Sequence, residues 1–401
     1  MKETQPKSLF LWPREMFAPP SLFKHYVYLG EMAGVAKKYS DVDIIDLSLQ
    51  NISRQEFISR VSDRDFVFIP VEVYTARSIV NLVEYIRNQT KAKIIGYSTA
   101  CALNPGLFAN YFDYVVASGF RGNAIKAILQ GDFSDFSIDG NIVNTKRKPS
   151  NIEWGVAPLD QMPTEEYLKI SHNEIELSVQ MGCKANCAFC MEKIFHPASF
   201  VEYRPIPEIV NFFETNIYDR YFLDATTFTV DKKWVLSLCD AIKKANISST
   251  PKWRTVTRVD CLDEELCNAM SSAGCYQIGL GIESLAPNVQ KNVHKVIHEQ
   301  KIIQVFDMLK RNNIQPRGFF ILGLPGQTKE DVDYCLSFIK DNNIPCRWKE
   351  YLPLHNVKTF NDIAQLKPFE KDSFFFHPVA NMSKEEYLKV LLKDTRYTRS
   401  K

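Results

Sequence analysis

Short apolar runs alternate with helix-period stretches over most of the 401 residues, in two series separated by a break rich in turn residues. Such alternation commits a chain to parallel sheets covered by helices, because consecutive parallel strands need a crossover and the crossover is usually a helix. In the first series the expected strands are Leu9 to Trp12, Val42 to Leu47, Phe66 to Pro70, Lys93 to Tyr97 and Tyr114 to Ala117. Helical stretches lie near 22–38, 54–61, 75–88, 104–110 and 121–129. Strands apolar on both faces predict a doubly wound, Rossmann-like sheet, whose ligands bind outside the carboxyl ends of the strands. Those ends carry Val71-Glu72-Val73-Tyr74-Thr75, Ser98-Thr99-Ala100-Cys101 and Ser118-Gly119-Phe120. Pocket lining and ordinary turn chemistry account for them equally well.

The expected organisation is a Rossmann-like domain over 1–135, a linker over 136–172, a partial barrel over 173–353 and a tail over 354–401. The linker holds Asp139-Gly140, which suits a small hairpin, and then Lys146-Arg147-Lys148-Pro149 with further prolines. The second series places strands at Ile175 to Gln180, Tyr221 to Leu223 with Thr227 to Thr229, Trp253 to Val259, Tyr276 to Ile282, Gly318 to Leu322 and Cys346 to Leu352. Six β/α units predict a shortened relative of the eight-fold barrel, with chemistry at the carboxyl ends of its strands. The tail carries Phe374-Phe375-Phe376-His377 and an amphipathic stretch from Ser383 to Leu392, which caps the barrel or closes over a substrate.

Directly after the first barrel strand comes Gly182-Cys183-Lys184-Ala185-Asn186-Cys187-Ala188-Phe189-Cys190. Three thiolates on one tight loop can hold three irons of a 4Fe-4S cluster and leave the fourth iron without a protein ligand. A structural zinc site would need a fourth ligand at short spacing, and His196, followed by Pro197, is the only nearby candidate. The other seven cysteines have no repeated spacing, so a disulfide framework is not expected. Cys261, Cys267 and Cys275 fall across a helix pattern, where small apolar filling is the expected role.

Basic and acidic residues nearly cancel, 49 against 47, for a formal charge of +2, so no electrostatic footprint for nucleic acid is present. The first ten residues lack a signal-peptide core and no segment reaches the length of a membrane span, which leads to the expectation of a soluble, cytoplasmic protein.

From residue 173 to about 350 the chain resembles the radical S-adenosylmethionine enzymes. The segments that carry the resemblance are Glu176 to Cys190, Tyr203-Arg204-Pro205, Phe222-Leu223-Asp224 with Phe228-Thr229-Val230-Asp231, Arg258-Val259-Asp260, Leu280-Gly281-Ile282-Glu283-Ser284 and Phe319 to Gly326. The resemblance implies that Cys183, Cys187 and Cys190 hold the cluster. It further implies that Phe189, Asp224, Arg258, Glu283, Ser284, Gly323 and Pro325 line the S-adenosylmethionine site. Phe189 would lie against the adenine, Glu283 would accept from a ribose hydroxyl or the ammonium, and Arg258 would pair with the carboxylate. Salt bridges between neighbouring strands would also explain Glu283 and Arg258.

A Rossmann-like half before such a barrel resembles the cobalamin-binding branch of that superfamily. Lys93 to Ser98 and Asp113 to Gly119 stand where the branch has its recognised loops, and Tyr74, Thr75, Ser98, Thr99 and Gly119 are the implied cobalamin contacts. The pattern departs from the branch: Gly96-Tyr97 and Ser118-Gly119-Phe120-Arg121 replace its glycine-rich loops, and no D-x-H-x-x-G motif occurs, His25 being the only histidine of the domain. The activity implied is a cobalamin-dependent C-methylation of an unactivated carbon. The alternatives are a cobalamin-independent cyclase, epimerase or oxidoreductase with a relic first domain, and a non-enzymatic iron–sulfur sensor. A small-molecule or peptide substrate and a reductant such as flavodoxin or ferredoxin follow from the same resemblance.

Overall fold

The computed structural model describes residues 5–14, 26–73, 75–197, 199–245, 247, 249–354 and 379–392. Two compact units form. Among the described residues the first comprises those up to Asn173 with Ile194–His196 and Leu354, and the second Glu174–Lys193, Pro197–Pro353 and 379–392.

The first unit runs β1 (Lys7–Trp12), α1 (Met32–Ala36), β2 (Asp41–Asp46), α2 (Arg54–Ser62), β3 (Phe66–Pro70), α3 (Ala76–Arg87), β4 (Lys93–Tyr97), α4 (Thr99–Leu103), β5 (Tyr114–Val116), α5 (Arg121–Gln130), β6 (Phe136–Asp139), β7 (Ile142–Thr145) and α6 (Thr164–Ser171). Its sheet has the order β2-β1-β3-β4-β5-β7-β6, parallel throughout except for the β6–β7 pair. The order reverses between β1 and β3, the doubly wound arrangement with its switch point there. Leu9, Phe10, Leu11 and Trp12 of β1 are all fully buried, so this interior strand is covered on both faces. One face carries α1 packed on α5; Phe57 of α2 meets Tyr85 of α3 with ring centroids 6.1 Å apart.

Two features differ from the sequence reading. The helix expected over 104–110 instead begins at Thr99, directly after β4, and Asn104-Pro105 ends it; a proline disfavours helical backbone at the residue before it. The hairpin around Gly140 does more than connect. Its second strand, β7, pairs in parallel with β5 and so lengthens the sheet.

The second unit contains β8 (Glu174–Ser178), β9 (Gln180–Gly182), α7 (Glu192–Phe195, whose last two residues belong to the first unit), β10 (Val201–Tyr203), α8 (Ile206–Thr215), β11 (Arg220–Asp224), α9 (Lys232–Lys244), β12 (Trp253–Arg258), α10 (Glu264–Ser272), β13 (Cys275–Glu283), α11 (Pro287–Asn292), α12 (Glu299–Arg311), β14 (Gln315–Leu322), α13 (Lys329–Asp341), β15 (Cys346–Glu350) and α14 (Lys384–Leu391). Six strands pair in parallel in the order β8-β11-β12-β13-β14-β15, each joined to the next by a helical crossover, which is the partial-barrel topology. One face is apolar and buried: Ile175, Leu177, Tyr221, Leu223, Trp253, Ile278, Leu280, Phe320 and Trp348. The segment Thr227 to Thr229 is a turn and not a strand. Gln180 explains this, since its side-chain amide bonds the backbone of Thr227 in both directions, at 2.7 and 2.9 Å, and takes the place of a neighbouring strand.

After the residues left undescribed, which include His355 and the Phe374 to His377 run, α14 caps the last strands. Ser383 and Glu386 form a capping box, and Ala380 bonds the backbone of Gln327 and Lys329. The Tyr387 hydroxyl lies 3.3 Å from the Leu322 carbonyl oxygen and 3.5 Å from Glu350 Oε1. Burial pushes the Glu350 carboxyl from 4.5 up to about 7, against the pull of that hydrogen bond. A raised carboxyl keeps its proton longer folded than unfolded, so stability falls as pH rises from 4.5 through 7. Glu350→Gln is expected to remove about 1 to 2 kcal/mol of that fall, the full shift being reduced by partial exposure. Melting curves of both proteins between pH 5 and 8 test it: parallel profiles would sink the expectation.

Candidate functional site

The β9–β10 ribbon launches the cysteine loop. Gly182 holds φ 79°, and a Cβ there would come within 2.1 Å of the Phe200 carbonyl oxygen, so glycine alone makes this exit. Cys183 Sγ lies 3.4 Å from Thr227 Oγ1 and accepts from Ala185 N at 3.4 Å. Cys190 N donates to Cys187 O at 3.2 Å, and Ala188 N donates to Val293 O at 3.0 Å, which ties the loop to the end of α11. Cys187 is buried, Cys183 and Cys190 half-buried, and none of the described cysteines is in a disulfide.

Burial pushes the Cys190 thiol up to about 11; it also raises Cys187, opposed by the positive charges of Lys295 and Arg258. Dry thiols of this kind become thiolates when a metal takes the proton's place. Among the described residues no group of three His, Cys, Asp or Glu converges as a single-ion site. A cluster does not need one, because each thiolate holds a separate iron. Three thiols on one pinned loop, with two cations beside the most buried of them, fit a cluster.

The strand ends around the loop bring several candidates together. Arg258 Nη1 donates to Cys187 Sγ at 3.8 Å, while its Nε and Nη2 grip Asp260 at 2.8 and 2.7 Å. Arg258 stands opposite Gly281 in the β12–β13 register. A Cβ on Gly281 would meet Glu283 Oε1 at 2.6 Å and Lys295 Nζ at 2.7 Å, so that ion pair lies over the glycine. Glu283 and Lys295 are 2.8 Å apart with side chains only 11% and 5% exposed. Glu283 has φ 70°, an uncommon conformation for a non-glycine residue, where the β13–β14 register slips. Both Glu283 and Arg258 are thus ion-paired here, beside the cysteine loop and with nearest partners other than each other.

Phe189 packs with Ile321 against Ala286, Val289, Val293, Leu324 and Tyr351, an apolar group next to the loop. Gly323 has φ 89° and donates its N–H to Gln327 Oε1 at 2.7 Å; the Pro325 carbonyl accepts from Asn292 at 3.3 Å. Ser284 is a turn residue: its hydroxyl accepts from Ala286 N at 3.3 Å and its carbonyl from Gln290 at 3.0 Å. Asp224 ends β11 opposite Ser178. Lys295 and Asp260 were not foreseen. Asp260, two residues after Arg258, carried a local signal; Lys295, after α11, carried none. Cys261, expected as filler, is only half-buried; burial above all raises its thiol, and the negative charge of Asp260 adds to that.

In the first unit, Ser98 Oγ and Thr99 N both bond Glu72 Oε1, at 2.5 and 3.5 Å, and Thr75 Oγ1 bonds the Glu72 backbone at 3.1 Å. Glu72 is buried and its carboxyl is raised by that burial. Gly119 is closely approached by Phe195, whose carbonyl oxygen would lie 2.2 Å from an added Cβ. The Arg121 guanidinium sits 5.1 Å from the Tyr28 ring and 5.2 Å from the Phe195 ring, and Phe120 meets His196 edge-on at 5.4 Å. His196 therefore joins this unit from a segment distant in sequence. Tyr74 lies outside the described residues.

The Radical SAM superfamily profile matches residues 177–339. An uncharacterized methyltransferase of Pyrococcus horikoshii is 27% identical over 241 residues, 58% of this chain and 51% of that protein. The anaerobic magnesium-protoporphyrin IX monomethyl ester cyclase of Rubrivivax gelatinosus is 22% identical over 391 residues, 86% of this chain and 68% of that protein. The chain thus spans about half the length of the first relative and two-thirds of the second. Among solved structures, the radical S-adenosylmethionine methyltransferase TsrM from Kitasatospora setae, with cobalamin and a 4Fe-4S cluster bound, superposes with a TM-score of 0.67 at 14% identity, over 88% of this chain and 77% of that one. At that identity the likeness is one of fold. With the cysteine loop at the head of six parallel strands, in the span that the profile covers, residues 177–339 are a radical SAM domain.

Proposed function

We propose that the chain is a cobalamin-dependent radical S-adenosylmethionine enzyme that methylates an unactivated carbon. The observation that carries the proposal is the cysteine loop at the carboxyl end of the first parallel strand, in a chain whose other unit is a doubly wound sheet. The methyltransferase relative and the fold of TsrM, which spans most of this chain, support it. Cys183, Cys187 and Cys190 would hold the 4Fe-4S cluster. S-adenosylmethionine would take the strand ends bearing Asp224, Arg258, Glu283, Ser284, Gly323 and Pro325, with Phe189 at its adenine. Cobalamin would use the strand ends bearing Thr75, Ser98, Thr99 and Gly119. The bound cofactors supply the electron, the hydrogen-abstracting radical and the methyl group.

The chain's own work is positioning and exclusion. Lys295 and Arg258 set positive charge beside Cys187, where thiolates and cluster would otherwise accumulate negative charge. The apolar group around Phe189 keeps water from one side of the loop. A cytoplasmic location and a flavodoxin- or ferredoxin-type reductant accord with this chemistry.

The cyclase relative supports a second reading, a radical reaction without methyl transfer. Anaerobic reconstitution with iron, sulfide, hydroxocobalamin and a reductant separates the two. The expected protein carries one cluster, retains cobalamin through gel filtration and splits S-adenosylmethionine. Cleavage without retained cobalamin would remove the methyltransferase reading and leave the second; neither cluster nor cleavage would remove both.

A further inference from the structure

In the first unit the parallel strands β1 and β2 finish level with one another, Leu47 N donating to the Trp12 carbonyl oxygen at 3.0 Å. Arg14 follows Trp12-Pro13, and the chain beyond Leu47 leads into α2, which sets Phe57 against Tyr85 of α3. A cavity of about 440 Å³ lies among these elements, a volume within the range of small-molecule sites. Leu47, Phe57 and Leu82 give it an apolar wall and Tyr85 adds a ring. Arg14 and Arg54 line it too, and among the described residues no carboxylate does. Arg14 and Leu47 stand just beyond the carboxyl ends of their strands, where doubly wound sheets take ligands.

Both arginines are held through Nε. Arg14 Nε donates to the Leu47 carbonyl oxygen at 3.4 Å, and Arg54 Nε donates to the Tyr85 hydroxyl at 3.0 Å with its guanidinium 5.7 Å from the centre of that ring. Neither makes a further hydrogen bond or an ion pair among the described residues, so the Nη groups of both are uncommitted. Other arginines of this unit do find carboxylates: Arg60 and Arg64 share Asp43 at 2.6 and 2.9 Å, and Arg87 takes Asp113 at 3.1 Å. Glu56, the one acid of α2, pairs with Arg60 at 3.5 Å and is not part of the lining. Two guanidinium forks thus border one apolar cavity, and an anion entering it meets no lining carboxylate to repel it.

We infer that this cavity binds a small amphipathic anion, a carboxylate or phosphate head carried on an apolar or aromatic body. Arg14 and Arg54 take the head, since a planar fork matches either oxyanion. Leu47, Phe57 and Leu82 cover the body, with the Tyr85 ring beside it. The cavity shares no residue with the strand ends given above to S-adenosylmethionine and cobalamin, and the inference does not depend on the proposed function.

The test is thermal melting of the full chain, reconstituted anaerobically, at matched ionic strength with benzoate, phenyl phosphate, benzamide, inorganic phosphate or chloride. A ligand that binds only the folded state raises the melting temperature by mass action. Benzoate or phenyl phosphate is expected to raise it above the value in chloride, and the larger rise tells a carboxylate head from a phosphate one. Benzamide has the body without the charge and inorganic phosphate the charge without the body, so each is expected to do less. The double variant Arg14→Gln/Arg54→Gln, at two exposed positions, is expected to melt close to the parent in chloride and to need at least about tenfold more of the effective probe for the same rise. No rise with either aromatic anion, an equal rise with benzamide or inorganic phosphate, or an undiminished rise in the double variant overturns the inference. Should the double variant fail to fold, Arg14→Gln alone carries the same comparison, because Arg14 holds only one 3.4 Å bond to the backbone. Any of these outcomes leaves the proposed function where it stands.

Discussion

Cys187→Ala is expected to yield a folded chain that assembles no intact cluster and does not split S-adenosylmethionine. Cys187 is the most enclosed of the three thiols and the one that Arg258 and Lys295 address. Removing it deletes one of three thiolate ligands, and the loop itself holds no other cysteine to take its iron. The structural cost is small by comparison, about 1 kcal/mol for losing one small side chain. Iron and sulfide content, the visible absorbance of the cluster and the melting temperature together decide the matter. A variant with parental iron, parental absorbance and undiminished cleavage would show that the loop is not the cluster site. Loss of cluster with intact in vivo activity would show that the protein's role does not run through the cluster and would remove the enzymatic and the sensor readings alike.

Lys295→Met carries the largest expected loss of stability. The Glu283–Lys295 pair is nearly dry, and deleting one partner of a buried pair leaves the other charge uncompensated, at a cost of about 3 to 5 kcal/mol. Glu283 also sits in a left-handed backbone conformation that the pair helps to hold. The double variant Glu283→Leu/Lys295→Met removes both charges and is expected to recover much of that loss, because apolar side chains can replace a buried pair at little cost. Urea midpoints of the parent, the single and the double variant make the comparison. A single variant as stable as the parent, or a double variant worse than the single by as much again, would contradict the burial seen here.

The parallel strands were legible because their apolar runs are unambiguous: Phe66–Pro70 and Lys93–Tyr97 occupy the expected residues. Trp253–Arg258 was legible for another reason, the period-two alternation of a sheet with one apolar and one polar face. Thr227 to Thr229 misled because β-branched residues favour strands, and only the distant Gln180 amide shows why the backbone turns. The cysteine spacing announced the loop. The partners of that loop did not announce themselves, since Lys295 reaches Glu283 across a helix and a strand bulge that no local pattern encodes. His196 is a similar case. Its place in sequence offers it as a zinc ligand, whereas a neighbour in space is Phe120.

The hairpin that lengthens the first sheet leaves β6 as its outer strand, with β7 its only strand neighbour among those described. An outer strand offers its free backbone edge to any other extended chain, including a second copy of the same protein. Here the exposed positions are Ser137, Ile138 and Asp139, of which Ile138 is 43% exposed. Four residues are too few to template a long ladder, and the charged Asp139 on this outer strand disfavours pairing with another edge. The strand thus completes a sheet without inviting another, and the protein's colloidal behaviour rests in part on one aspartate far from any chemistry.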